Sequence, residues 1–240
     1  MGKIRKSLII ILILLFISSI VFLLFEDKIM EIYLERSLPK ISGNGYNQNV
    51  ENNNKEKVGL APTYNAEESE PLSTESIAKY YNKIKYTISK GRIIIPSVNI
   101  DIGIYEGINN EHLLVGAAEQ YPRNIIQNGQ IGNYVLASHM SSWNPNYNFT
   151  GLERMKIGDK IYTTDREYMY IYKTKSSKVY HKSDTTPINE KSDTEAIITL
   201  YTCYNPKKLW KPDTRRVIQG TLINKIPLED IQTISQEISL

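Results

Sequence analysis

The sequence predicts a mainly β protein, a sandwich or a closed barrel with short helices, that follows a single apolar helix at the N-terminus. Eight short segments after residue 90 are rich in Ile, Val, Tyr and Thr and are bounded by Gly, Pro, Asn or Asp, which is typical of β-strands. Helical spacing of apolar residues is confined to a few short stretches. Many short strands with few helices favour a sandwich or a barrel.

The N-terminal segment has the composition of a membrane-spanning helix. Three basic residues among the first six precede a run from Leu8 to Phe25 that contains no charged residue. As a helix this run is about 27 Å long, close to the thickness of a bilayer's hydrocarbon core. Acidic residues follow directly and no Ala-x-Ala site is present, which favours an uncleaved signal anchor over a signal peptide. Basic residues before a span stay in the cytoplasm, so residues 1–7 are predicted to be cytoplasmic, 8–25 to cross the membrane and the remainder to be extracellular.

A polar, Asn-rich stretch separates this span from the β-rich region. Its first residues are predicted to continue the helix as far as Pro39, and residues 26–72 as a whole are predicted to form a flexible tether because they contain too little apolar surface to offset the entropy of ordering. Ser73 then has the character of an N-cap, and apolar residues recur at helical spacing after it. The predicted catalytic domain therefore covers 73–240, with a core over 91–223 and a C-terminus that frays.

The β-rich region divides into segments separated by turn residues. Short helices are predicted at Glu111–Ala118 and around residues 149–155. The predicted strands are residues 92–95, 100–105, 133–138, 159–164, 168–174, 177–182, 195–203 and 215–223.

The composition argues against several kinds of partner and cofactor. The 240-residue chain has a formal net charge of +3, with Lys and Arg scattered along it rather than gathered into the basic face that binds nucleic acid. No Cys and His spacing for a metal, no Walker loop and no Gly-rich dinucleotide turn is present. The sequence predicts no nucleic-acid partner, no metal and no other cofactor.

The single cysteine, Cys203, lies where an apolar strand meets a loop. An outward-facing domain can form disulfides, so one unpaired thiol is either buried and inert or kept because it reacts. Loops at the ends of rigid strands commonly display reactive groups. A thiolate there needs a base or a cation to lower its pKa, and a donor for the oxyanion that it creates.

The three histidines differ in their surroundings. His139 ends the buried-looking strand 133–138, so it is the candidate acid and base. His112 and His181 are predicted to be surface residues. Spacing alone does not establish that the strands ending in His139 and Cys203 meet.

Arg215 and Arg216 supply the candidate cation. They open the final strand, on the far side of the loop that follows Cys203, from which one guanidinium can return to the thiol. Side chains alternate across a strand, so only one of the two can face Cys203. Neither face of this strand is cleanly apolar, so the pattern alone leaves the choice open.

With these residues identified, the chain resembles the sortase family of cysteine transpeptidases over about residues 91–223. Residues 199–203, TLYTC, are similar to the family signature T-L-x-T-C. Arg215 follows at the family's distance, five residues before the small residue that closes the motif, here Gly220. One departure is Ser138, which replaces the Gly that usually precedes the catalytic His. Other matching segments are Ile95–Val98, Leu136–His139 and, similar to class A, Pro145–Thr150.

The resemblance implies an eight-stranded β-barrel that performs acyl transfer in two steps. Cys203 would attack the Thr–Gly carbonyl of an LPxTG sorting signal on a surface protein and hold the acyl group as a thioester. His139 would protonate the leaving amine and then deprotonate the incoming amine of a cell-wall precursor, and Arg215 would hold the oxyanion. The enzyme would act at the outer face of a Gram-positive cell membrane.

The resemblance also implies a substrate groove. Ala137, Ile188, Tyr201 and Thr202 match positions that line it, and the backbone N–H of Tyr204 is a candidate second oxyanion donor.

Two alternatives remain open. Tyr204-Asn205-Pro206 after the cysteine is similar to some class D members, which would imply a different sorting signal, whereas Pro145–Thr150 favours class A. The second alternative is an anchored binding domain on an inactive sortase fold.

Some class A enzymes bind calcium through acidic residues before the His strand. Here Tyr121–Asn133 contains no Asp or Glu, so calcium is not expected to be required.

Overall fold

The computed structural model describes residues 2–37, 59–142, 144–205 and 212–233, which fall into two units divided after Pro39. The first unit is helix α1, Gly2–Ser37. Within it Lys6–Phe25 is long and apolar enough to cross a membrane, with a mean hydropathy of 3.4 and none of the segment buried. The helix continues past the apolar run and ends close to the predicted stop at Pro39, a residue that cannot extend it.

The second unit is a closed barrel of eight strands. Their order around the barrel is β1-β2-β3-β4-β7-β8-β6-β5, and only the pairs β2/β3 and β4/β7 are parallel. Closure leaves no unpaired strand edge, which settles the choice between sandwich and barrel. The strands are β1 Gly91–Ile95, β2 Ile100–Glu106, β3 Gly116–Glu119, β4 Gly132–Ala137, β5 Lys160–Thr164, β6 Tyr168–His181, β7 Ala196–Tyr204 and β8 Thr214–Pro227.

The helices of this unit are short. Ser73 caps the first one with a capping box, as the sequence predicted. The turn predicted around residues 149–155 is a 3-10 helix. The α-helices are α2 Thr74–Tyr80, α3 Asn110–Val115 and α4 Thr186–Asn189, and the 3-10 helices are Ala66–Glu68, Tyr81–Tyr86, Pro96–Val98, Asn148–Arg154 and Leu228–Thr233.

Eight strands were predicted and eight are present, but two of the individual predictions were wrong. The helix predicted at Glu111–Ala118 ends at Val115, and β3 begins at Gly116. A Cβ on Gly116 would lie 2.4 Å from the carbonyl oxygen of Gly103, so only glycine lets β3 approach β2 this closely. The strands predicted at 168–174 and 177–182 are one strand, β6, because irregularities in its pairing with β8 absorb the polar residues between them.

The barrel interior is filled by alternate residues of the strands. Leu136 of β4, Leu200 of β7 and Ile218 of β8 are fully buried there. Because side chains alternate across each strand, the intervening residues of β4, β7 and β8 lie on the outer face of the barrel. This outer face carries the candidate site.

Residues 59–72, predicted from composition to belong to the tether, contact the barrel unit. The N–H of Thr63 donates to Asn109 Oδ1 at 3.0 Å, and the N–H of Ile108 donates to the Thr63 carbonyl at 2.7 Å. The N–H of Glu70 donates to Asn110 Oδ1 at 2.7 Å. The contacts with the barrel thus begin well before residue 73. Of the rest of the predicted tether, residues 26–37 belong to α1 and residues 38–58 lie outside the described residues. Of the last dozen residues, predicted to fray, 229–233 lie in the 3-10 helix Leu228–Thr233 and 234–240 lie outside the described residues.

Candidate active site

The register of β7 and β8 places one arginine on the same face as the thiol. Cys203 is the cross-strand partner of Arg215, and Thr202 is the partner of Arg216. Directly opposed residues of an antiparallel pair point to the same side, with Cβ atoms about 5 Å apart. Arg215 and the free, partly exposed Cys203 thiol therefore share the outer face, and Arg216 lies on the other.

Hydrogen bonds hold the Arg215 guanidinium near the start of β8. Its Nη1 donates to the carbonyls of Pro212 and Thr214, at 3.2 and 3.1 Å. Two of its five N–H groups at most are used in this way, so the guanidinium keeps donors for another acceptor on the thiol face.

His139 reaches the same end of the barrel from β4. Ala137 pairs with Tyr201 in the parallel β4/β7 ladder, and the next N–H, of Ser138, donates to the Tyr201 carbonyl at 3.3 Å. His139 follows directly, so the chain turns beside the strand end that carries the thiol. The imidazole is buried, with 8% of its surface exposed, and this burial lowers its pKa from 6.5 to about 4. His139 is therefore neutral near pH 7, the form that accepts a proton.

Both the hydroxyl and the carbonyl of Ser138, the residue that departs from the family pattern, are hydrogen-bonded. Its hydroxyl donates to the Gly116 carbonyl at 2.5 Å, and its own carbonyl accepts from the hydroxyl of Thr202 at 2.7 Å. These bonds join β3, β4 and β7 immediately before His139. The extra hydroxyl thus ties down the turn that positions the imidazole.

Two of the predicted groove residues lie on the thiol face. Ala137 packs in an apolar cluster with Ile108 and Leu113, and Tyr201 packs against this cluster. The Tyr201 hydroxyl donates to Gln120 Oε1. Burial raises the pKa of Tyr201, and the positive charge of Arg215 offsets only part of this rise.

The third predicted groove residue, Ile188, lies in α4. Its backbone carbonyl accepts from Asn133 Nδ2 at 3.2 Å, which sets α4 against β4. The structure thus brings the Ile188 backbone against β4, the strand that also carries Ala137.

The side chains of the other two predicted groove residues point to the opposite face. Thr202 directs its hydroxyl to the Ser138 carbonyl, and the Arg216 guanidinium lies 4.5 Å from the centre of the Tyr204 ring. The two-residue period of the strand puts residues 202 and 204 on the face away from Cys203. The place of Thr202 in the groove therefore stays a prediction, as does the role of Tyr204, which concerns its backbone N–H.

The prediction for His112 was wrong. Only 4% of its surface is exposed, and its ring stacks on Tyr105 with centroids 5.3 Å apart while Nδ1 lies 3.0 Å from the Gly107 carbonyl oxygen. Every residue of α3 from Glu111 to Val115 is buried, and Asn109 in the turn before it accepts from the N–H of Thr63. His181 is exposed, as predicted.

One set of residues on this face was missed by the sequence analysis. Asn133, Thr199 and Gln219 form a buried polar group beside the apolar cluster. The available signal was a polar residue at an outward-facing position of β4 and of β7, strands whose other outward residues are Val135, Ala137, Ile197, Tyr201 and Cys203. Among the described residues, no group of three or more His, Cys, Asp or Glu side chains is arranged to hold a metal ion.

Comparisons with known proteins agree with this geometry. The family model of the sortase domain matches residues 93–223. Sortase A of Streptococcus agalactiae is 32% identical over 180 residues, which cover 73% of this chain and 68% of that protein. Sortase A of Listeria monocytogenes is 33% identical over 121 residues, which cover 50% of this chain and 52% of that protein.

The fold is also that of a solved structure. The crystal structure of sortase A from Listeria monocytogenes superposes with a TM-score of 0.53 and 29% identity, covering 62% of this chain and 96% of that one. The matched regions cover 52% of the Listeria protein and 68% of the Streptococcus protein, so the chain spans about half to two thirds of the length of these relatives. The match of residues 93–223 contains Cys203, His139 and Arg215, and on this evidence the chain belongs to the sortase family.

Proposed function

We propose that this protein is a class A-like sortase that cleaves an LPxTG-type sorting signal between Thr and Gly and transfers the surface protein to a cell-wall amine. The observation that carries the proposal is the pairing of Cys203 with Arg215 at the strand end that His139 also reaches. Nucleophile, acid and base, and electrostatic stabiliser are the three roles that acyl transfer requires. The two relatives named sortase A support the choice of class.

In the first step the Cys203 thiol loses its proton to the neutral imidazole of His139 as sulfur adds to the Thr carbonyl carbon. Arg215 donates to the oxygen on which negative charge develops. When the tetrahedral adduct collapses, the C–N bond breaks and His139 returns the proton to the leaving amine of the C-terminal fragment. A thioester to Cys203 remains, and His139 is neutral again.

In the second step an incoming amine attacks the thioester carbonyl. His139 takes a proton from this amine, Arg215 again donates to the oxyanion, and the C–S bond breaks as the new amide forms. The proton held by His139 returns to the sulfur, which restores the free enzyme.

The test is transfer of a synthetic LPxTG peptide to a small amine by the full-length protein in detergent, followed by chromatography. A class D sortase would instead turn over a different signal, and an inactive binding domain would turn over none.

The low pKa of His139 predicts the acid limit of catalysis. Because the pKa is lowered to about 4, the neutral imidazole is present at pH 6.5 and is lost only as the pH falls through about 4. The acid limb of kcat/KM, which reports the free enzyme, is expected near pH 4 rather than near 6.5. A pH profile with a fluorogenic peptide, with circular dichroism to confirm folding at each pH, measures it. An acid limb centred at 6.5 would show that His139 is solvated.

Calcium is expected to leave the activity unchanged. The loop before β4 has no acidic residue between Tyr121 and Asn133, and a hard cation needs several oxygen ligands with carboxylate charge. Peptide transfer in a chelator and in added calcium should agree within about twofold, the scatter expected where no linked binding site exists. A many-fold rise on adding calcium would reveal a site formed by other residues.

We also propose that α1 anchors the protein as a single-pass membrane protein with the barrel outside the cell. The apolar span and the basic residues before it support this orientation. Protease added to intact, wall-stripped cells is expected to release the barrel by cutting within residues 38–58, since residues 59–72 are held by the hydrogen bonds of Thr63 and Glu70. Mass spectrometry of the released fragment locates the cut. Protection of residues 38–58 from outside would contradict the topology.

A further inference from the structure

Three polar side chains are buried on the outer face of the barrel, where β4, β7 and β8 lie side by side. Asn133, Thr199 and Gln219 are 7%, 0% and 7% exposed. Thr199 and Gln219 are direct cross-strand partners, and Asn133 lies on the neighbouring strand. Burying polar groups is unfavourable unless they are hydrogen-bonded, so their partners indicate their role.

The Asn133 amide is oriented by a threonine and bonds to α4. Thr199 Oγ1 donates to Asn133 Oδ1 at 2.7 Å, which leaves the Nδ2 group directed away from the barrel. Nδ2 donates to the carbonyls of Pro187 and Ile188, at 3.1 and 3.2 Å. One buried amide therefore holds two consecutive carbonyls of a four-residue helix.

The Gln219 amide holds the same helix from β8. Its Nε2 donates to Glu190 Oε2 at 2.6 Å and to the Pro187 carbonyl at 3.3 Å. It also lies 3.3 Å from Thr199 Oγ1, which connects the two amides. Gln219 and Asn133 thus fix both ends of the segment from 187 to 190. We call Asn133, Thr199 and Gln219 the α4 anchor.

Little else fixes α4. A helix of four residues is not stable by itself, and Thr185 at its N-cap makes no side-chain cap bond. Between residues 183 and 195 only Pro187 is buried. The other side-chain hydrogen bonds of this segment are few. The Tyr121 hydroxyl donates to Asn189 Oδ1 at 2.7 Å, Asn189 Nδ2 donates to Thr185 Oγ1 at 2.9 Å, and the N–H of Thr186 donates to Asp184 Oδ1 at 3.0 Å.

We propose that the α4 anchor consists of positioning residues that hold α4, and Ile188 within it, beside the Cys203 groove before substrate binds. This inference rests on the proposed function, which assigns Ile188 to the groove. Where the binding-competent conformation is only partly populated, the apparent affinity falls by that fraction. Loss of the anchor should therefore raise KM for the peptide and leave kcat nearly unchanged.

The test compares two matched threonine variants in the full-length protein in detergent. Thr199→Val removes the bond that orients Asn133. Thr163→Val is the control, since Thr163 is also fully buried in a strand and donates to Asn128 Oδ1 at 2.9 Å, but inside the barrel. Asn133→Ala, which removes both bonds to the α4 carbonyls, is the second test variant.

Hydrogen–deuterium exchange of residues 184–192 and the KM and kcat of peptide transfer are measured for each variant. Exchange is expected to speed up about tenfold in Asn133→Ala and by a smaller factor in Thr199→Val, with KM rising in the same order and kcat within about twofold. Thr163→Val should lower Tm without changing either quantity.

Unchanged exchange of residues 184–192 in Asn133→Ala would overturn the anchor. So would an equal rise of KM in Thr163→Val, which would mean that any loss of stability weakens binding. Faster exchange with an unchanged KM would show that α4 does not border the groove, which also overturns the proposal. If wild-type protein transfers no peptide while exchange loosens as expected, the proposed function fails and the anchoring of α4 stands.

Discussion

Replacing Cys203 with alanine is expected to abolish peptide transfer while the protein stays folded. The sulfur forms the only covalent bond between enzyme and substrate in the proposed mechanism, and removing the nucleophile of a hydrolase with covalent catalysis costs about 10⁶-fold in kcat. Cys203 is partly exposed at a strand end, so the loss of one sulfur atom should cost little stability. Peptide transfer measured by chromatography, with Tm as the control for folding, checks this.

His139→Ala extends this prediction to the acid and base. Proton transfer by a positioned side chain contributes about 10²–10⁴-fold, so the rate should fall by that order. The exposed His181 offers a matched control, and His181→Ala should retain wild-type activity and stability. Turnover at the wild-type rate in Cys203→Ala, or equal losses in the two histidine variants, would contradict the assignment.

The second large effect separates the adjacent arginines. Arg215 shares the face of Cys203, and losing one oxyanion donor typically costs about 10²–10³-fold in rate. The peptide-transfer rate of the Arg215→Ala protein should be lower than that of the wild type by at least this factor. Arg215→Lys should also be poor, because a point charge lacks the planar fork of the guanidinium.

Arg216 is the internal control because its guanidinium lies over the Tyr204 ring on the opposite face. Arg216→Ala should stay within about tenfold of the wild-type rate and lose about 1 kcal/mol of stability with the cation–π contact. Transfer rates and Tm of the three variants distinguish the two roles. If Arg216→Ala is the crippled enzyme and Arg215→Ala the mild one, the arginine that serves catalysis is Arg216.

The sequence could predict the class of fold, and it could single out the three candidate residues that the structure brings to one end of the barrel, because both depend on local patterns. The β-branched segments and their turn residues mark most of the strands, and the run TLYTC with Arg215 marks the site. β3 was missed because GAAE at 116–119 has little β-propensity and continues a helical pattern of apolar residues. It is a strand only because Gly116 lets it lie against β2, a contact between residues distant in sequence.

The details of the site depend on pairings that no local pattern records. The faces of β8 could not be told apart from the sequence because its outward residue Gln219 is polar yet buried, as part of the α4 anchor. His112 was placed on the surface because it lies in a short predicted helix, whereas in the structure its ring stacks on Tyr105 and Nδ1 lies 3.0 Å from the Gly107 carbonyl oxygen. In both cases contacts made in the folded structure bury a polar side chain that the composition of its segment would place on the surface.

The most direct test of the account is intact-mass spectrometry of the full-length protein with an LPxTG peptide and no added amine. The account predicts a mass increase equal to the acyl fragment ending in Thr, located at Cys203 by fragmentation and lost when an amine is added. The Cys203→Ala protein should show no such adduct. Absence of an adduct with every signal in a panel of sorting peptides, or an adduct that persists in Cys203→Ala, would contradict it.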